Sequence, residues 1–183
     1  MNIDFHRLPA GYRSQAVRDD GVTVRVPGFD RKHEVPHDLA HFAAEYGFGE
    51  ARGFWGSVAA GAMFGGMEVV AGRRRPHAAE RSRAVIRANA ERIGNAEALA
   101  STVHEAFADG LGAGAATRRL ARHWASIHTD PCPYGAADMT RACALLTDLS
   151  VRWKAVAPGG ILTLDWDLPV EHPATARRTH RHP

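Results

Sequence analysis

The sequence predicts an α+β protein, mainly α: a bundle of five or six helices with a small antiparallel three-stranded sheet made from both ends of the chain. Three observations predict it. Residues 11–27 alternate apolar and polar side chains around an Asp-Gly turn. Residues 35–156 hold a succession of apolar stripes at helical spacing, punctuated by Gly and Pro. Residues 161–166, ILTLDW, return to a period of two. At 183 residues, 45% of them hydrophobic, the chain can bury the core of one globular domain over 1–168. Residues 169–183 are basic, His-rich and without apolar period, and read as a disordered tail.

Residues 11–17 and 22–27 form the expected hairpin. Val22, Val24 and Val26 alternate with Thr23 and Arg25, and Arg18-Asp19-Asp20-Gly21 supplies the turn. A lone hairpin is marginal in water, so the strand at 161–166 is assigned to it as the third. Residues 29–34 are a charged connector. Residues 35–49 follow as a helix, with Pro36 suited to its first turn and Gly47 and Gly49 to its end. A second helix is expected over about 51–70. Its Gly53, Ser57, Gly61 and Gly65 form a stripe of small side chains suited to close packing on the alanine face of the first helix.

Arg73-Arg74-Arg75 and Pro76 end that helical hairpin. Residues 77–93 read as an Arg-rich helix closed by Gly94-Asn95, and 96–108 as a fourth helix with Leu99, Val103 and Phe107 inward. Residues 115–127 make a fifth, around Leu120, Trp124 and Ile127. Residues 136–156 make the longest, with Met139, Cys143, Leu146, Leu149, Trp153 and Val156 on one face. Pro158-Gly159-Gly160 stops it. The glycines at 110–114 are a bend rather than a phosphate loop, because no strand precedes them and no Lys follows.

The helix at 35–49 carries the chemistry. At about 100° per residue, His37, His41 and Glu45 fall near 0°, 40° and 80°, with Asp38 near 100°. This polar arc holds no Lys or Arg. Two imidazoles one turn apart can share a metal ion, as in the H-E-x-x-H helix. His37 and His41 are therefore the leading ligands for a divalent ion, zinc or iron. Asp38 and Glu45 are ligands if the helix bends, or partners that orient the rings, since His37 and Glu45 are roughly 12 Å apart along a straight helix. Glu68, His104, Glu105 and His128 are the outside side chains that could complete the site. The alternative is that the arc is a solvent or partner-binding face.

His37-Asp38-Leu39-Ala40-His41 resembles the H-D-x-x-H motif of the ubiquinone-biosynthesis protein family. That family is helical, membrane-associated and linked to polyprenylated quinone precursors, and its motif binds zinc or another metal on a helix. The resemblance covers about fifteen residues. The family's motif continues with a Glu after eleven further residues; here that position is Gly53. The same residues resemble the doublet of the HD phosphohydrolases, which need an upstream helix with a further His and a distal Asp. In the zincin pattern, Asp38 would stand where the general-base Glu stands.

Composition narrows the function classes. The N-terminus has no apolar stretch of the kind that opens a signal peptide. The longest uncharged run, 53–67, is too short for a membrane span. Cys132 and Cys143 read as free thiols of a reducing compartment, so a cytoplasmic location is expected. A formal charge of +3 and pI of about 9.2, with arginines scattered over several helices, make nucleic acid an unlikely partner. The reading that follows is a metal-dependent enzyme acting on a small, apolar molecule. The alternative is a non-catalytic interaction or ligand-binding module.

Overall fold

The computed structural model describes residues 1–28 and 34–170. The charged connector at 29–33 and the His-rich tail at 171–183 lie outside the described residues. The elements in chain order are β1 (Asn2–Arg7), β2 (Tyr12–Val17), β3 (Thr23–Val26), α1 (His37–Phe48), α2 (Phe54–Ala59), β4 (Glu68–Ala71), α3 (Ala78–Ala88), α4 (Ala90–Ala108), α5 (Ala113–Ile127), α6 (Ala136–Ala155) and β5 (Ile161–Asp165). Among the described residues no helix is long and apolar enough to cross a membrane.

The architecture is mainly α plus β, as expected, but among the described residues the sheet has five strands, not three. Its order is β4-β3-β2-β1-β5, and every neighbouring pair is antiparallel. The hairpin at β2–β3 and the C-terminal strand are where the period of two put them. One of the two unexpected strands is β1, NIDFHR, which lies between β2 and β5. Only Ile3 and Phe5 carry its inward face, both fully buried, so two apolar residues in a polar stretch gave no strong pattern. Pairing secures it: Met1 and Trp166 exchange backbone hydrogen bonds at 3.2 and 2.8 Å, which ties the chain's first residue to the end of β5. The helices pack on the face that carries Ile3, Phe5, Ala16, Val24, Leu162 and Leu164.

The helix expected over 51–70 is also corrected. Only Phe54–Ala59 is helical. Gly61 turns the chain out at φ +105°, and Gly66 follows at +81°, conformations that cost glycine little and other residues much. Glycines at a spacing of four weaken a helix by about 1 kcal/mol each. The β-branched pair Val69-Val70 then joins the sheet edge, Val69 opposite Val24. The boundary between α3 and α4 falls at Asn89 rather than at Gly94-Asn95. Asn89 is buried and committed to tertiary bonds: its amide donates to Ser57 Oγ at 3.0 Å and its carbonyl accepts from Arg52 Nε at 3.0 Å. Asn95 stays helical, with its side-chain oxygen bonded to His128 Nε2 at 2.7 Å.

α1 is the core helix. It lies along both α4 and α6, and nine of its twelve residues are buried, so its polar arc is not a solvent face. Glycine makes this possible on the α6 side: a Cβ added at Gly47 would lie 2.5 Å from Ala142 Cα. The close backbone approach expected between the first two helices is thus found between α1 and α6. Gly47→Ala should therefore destabilise the protein by about 2 kcal/mol through overpacking, despite the gain of about 1 kcal/mol in helix propensity. Urea unfolding measures the difference, and a stabilised variant would contradict the contact.

Candidate metal centre

α1 begins at Pro36, whose carbonyl accepts from the Leu39 and Ala40 N–H groups. The first two turns then project His37 and His41 toward α4, with ring centroids 4.9 Å apart and planes almost perpendicular. α4 answers with Glu97 and, two turns later, His104. Glu97 Oε1 lies 3.3 Å from His37 Nε2, and Glu97 Oε2 lies 3.0 Å from His41 Nε2. One ligand atom from each of His37, His41 and Glu97 lies within 4.8 Å of the others. Two donors sharing a zinc ion at about 2.0–2.1 Å and the tetrahedral angle are about 3.4 Å apart; the two N···O distances here, 3.3 and 3.0 Å, are near that value and run to different oxygens of Glu97.

The far side of each ring is held. His41 Nδ1 donates to Glu45 Oε1 at 3.2 Å. Glu45 has no exposed surface and also accepts the Trp55 backbone N–H at 3.0 Å. Gly53 leaves the space this carboxylate occupies, since a Cβ there would stand 2.6 Å from Glu45 Oε2. His37 Nδ1 meets His104 Nδ1 at 3.4 Å, and His104 Nε2 faces the Val35 carbonyl at 3.1 Å. A carbonyl only accepts, so a neutral His104 carries its proton on Nε2 and offers a lone pair at Nδ1. His37 then donates from Nδ1. Both site histidines in their neutral forms thus turn an Nε2 lone pair toward the same carboxylate. Two lone pairs and a carboxylate repel one another unless a proton or a metal cation lies between them.

The electrostatics reflect that arrangement. Burial works to lower the His41 pKa, but the bonds to Glu45 and Glu97 prevail and raise it to about 9. Glu97 is held well below the usual carboxylate range by its bonds to His37 and His41. Burial pushes the Glu45 carboxyl up, opposed by His41 and the backbone N–H groups of Trp55 and Gly56. In the buried pair the proton stays on the ring, because His41 faces two carboxylates while Glu45 has further N–H donors. The site opens to one side: the His41 side chain is 6% exposed, His37 30% and Glu97 62%.

Of the four residues expected on α1, His37 and His41 converge with a third donor, and Glu45 orients His41. Asp38 does not join them. About 100° round the helix from His37, it faces the sheet, accepting from Ser14 Oγ at 2.6 Å and from the Tyr12 hydroxyl at 3.4 Å. Burial pushes its carboxyl up. Of the outside candidates, His104 is the partner of His37. Glu68 pairs with Arg25 on the sheet edge at 3.1 Å, and Glu105 with Arg119 at 3.5 Å. His128 bonds Asn95 and stacks on Trp124. Glu97 is the residue that sequence reasoning missed. Its signal was present: it lies seven residues before His104, so the two share a helix face.

Removing the buried carboxylate should be costly. Glu45→Ala leaves the Trp55 N–H and the Nδ1–H of His41 without their acceptor, a loss of about 3 kcal/mol. Glu45→Gln retains an acceptor and should lose about 1 kcal/mol. Urea unfolding of the chelator-treated protein reads both, and a wild-type midpoint for Glu45→Ala would remove this carboxylate from the network.

Comparison with protein-family models, with curated proteins and with solved structures finds no match.

Proposed function

We propose that the protein holds a divalent ion, zinc or iron, between α1 and α4 through His37 Nε2, His41 Nε2 and a Glu97 oxygen, and that it is a metal-dependent enzyme acting on a small molecule. The observation that carries this reading is the convergence of two imidazole nitrogens on one carboxylate at 3.0 and 3.3 Å. The resemblance to the H-D-x-x-H motif supports the two histidines as ligands, with the carboxylate arriving from a second helix. Two histidines and one carboxylate are a donor set used by hydrolytic zinc sites and by iron oxygenases. Three protein ligands would leave room for water or substrate, and the flank of Glu97 and His37 is the exposed side of the cluster. An ion there would polarise a substrate oxygen or activate water.

The remaining residues of the site hold it in shape. Glu45 fixes the tautomer and plane of His41, and His104 does the same for His37, the role outer partners play around metal-bound imidazoles. Asp38 fastens the first turn of α1 to β2, which sets the height of both rings.

A second reading has its own support. With His41 charged, its two hydrogen bonds to Glu45 and Glu97 are satisfied without any ion. The cluster is then a structural ion pair in a non-catalytic module.

Metal content separates the two. Full-length protein stripped with chelator, reloaded with zinc and dialysed should retain about one ion more per chain than the His37→Ala/His41→Ala double variant. His172, His180 and His182 are common to both proteins, so loose binding by them cancels. Glu97→Ala should lose the same ion. Zinc at about 100 times its dissociation constant should stabilise the wild type by about 2.7 kcal/mol and leave the double variant unmoved. Equal metal content in all three proteins would favour the ion-pair reading.

A further inference from the structure

The surface beside the candidate ion is aromatic on the α2 side. Gly53 packs so closely on α4 that a Cβ there would lie 2.7 Å from that of Ala96, the neighbour of Glu97. The next residue, Phe54, therefore sits at the rim of the site, with its ring 5.3 Å from that of His41. Phe64, from the loop after α2, stacks on Phe54 at 5.2 Å and 24°. Both rings are only partly buried, so each keeps surface accessible. The Phe64 N–H is tied back to Met67 Sδ at 3.3 Å, and the Met63 N–H to Ser82 Oγ at 2.8 Å, which fixes the loop under the aromatic pair. Residues 53–67 contain no charged side chain.

We infer that Phe54 and Phe64 form the subsite for an aromatic body on the substrate, whose oxygen donor takes the open position at the ion. This rests on the metal reading proposed above and names the class of molecule that site takes. Small-molecule sites pair an apolar wall with a few polar groups that fix orientation, and here wall and candidate ion are one ring apart. Aromatic rings in offset or edge contact gain about 0.5–1.5 kcal/mol beyond the area they bury. A charged substrate body would find no counter-charge along 53–67.

Two hydroxamates test this on zinc-loaded, full-length protein. Benzohydroxamate and acetohydroxamate carry the same chelating head and differ in a phenyl against a methyl group. Isothermal titration calorimetry should show benzohydroxamate binding about tenfold more tightly, the equivalent of about 1.4 kcal/mol. Phe54→Ala should bring the ratio close to one, and Phe64→Ala, a change in a loop, should reduce it. Zinc content measured on each variant separates loss of the ion from loss of the subsite. A wild-type ratio near one, a ratio unchanged by Phe54→Ala, or no binding of either hydroxamate to zinc-loaded protein would overturn the inference while leaving the metal site standing. If the wild type takes up no zinc, the metal reading fails and the subsite falls with it.

Discussion

Taking an ionised carboxylate out of water costs several kcal/mol unless its lone pairs are met by donors, and α1 carries Asp38, His41 and Glu45 into the interior together. Three of the elements around this helix supply a partner for one of them. β2 gives Ser14 and Tyr12 to Asp38, the start of α2 gives the Trp55 N–H to Glu45, and α4 gives Glu97 to His41. The Trp55 indole adds a bond to the Asp38 carbonyl at 3.0 Å, fastening α2 to the first turn of α1. Sheet, α2 and α4 are thereby placed relative to one another through the polar groups of a single helix, while apolar packing against α6 holds its other side.

Close backbone approach is the condition for those bonds. Gly47 admits Ala142 of α6, and Gly53 admits the carboxylate of Glu45 and the methyl of Ala96. Neither glycine is needed for an unusual dihedral angle; each is needed because a methyl group would occupy space already filled. The result is a short, rigid path from the α2 N-terminus through Glu45 to His41, and from there to the open edge at Glu97. Orientation of the imidazole is thus set by buried groups, and the open side of the cluster is a partly exposed carboxylate. Sites that bind exchangeable ligands need this combination of fixed donors and one accessible side.

The metal reading and the ion-pair reading use the same atoms. They differ in what lies between the imidazole lone pairs and Glu97: a metal cation or a proton. His104 bears on that choice. Its Nε2 faces a backbone carbonyl, so in its neutral form it directs the proton of His37 to Nδ1 and the lone pair toward Glu97. That relay is the feature by which the two readings differ in what they ask of His37.

The local code was legible wherever one segment sufficed. Val22, Val24 and Val26 revealed a strand by their alternation, ILTLDW another, and the arc of His37, His41 and Glu45 followed from 3.6 residues per turn. The sequence also pointed to His104, as an outside ligand, whereas in the structure its Nδ1 meets His37 Nδ1. What it could not show depended on partners distant along the chain. β1 is a strand because β2 and β5 flank it, not because NIDFHR has a strong pattern. β4 left an expected helix because Gly61 and Gly66 released the chain to the free edge of β3. Asp38 separated from the histidines because β2 lies on its side of the helix. Glu97 became a donor only when α4 packed along α1. Periodicity fixes which side chains share a face, whereas the burial of that face, and the groups that meet it there, are decided by packing among elements far apart in sequence.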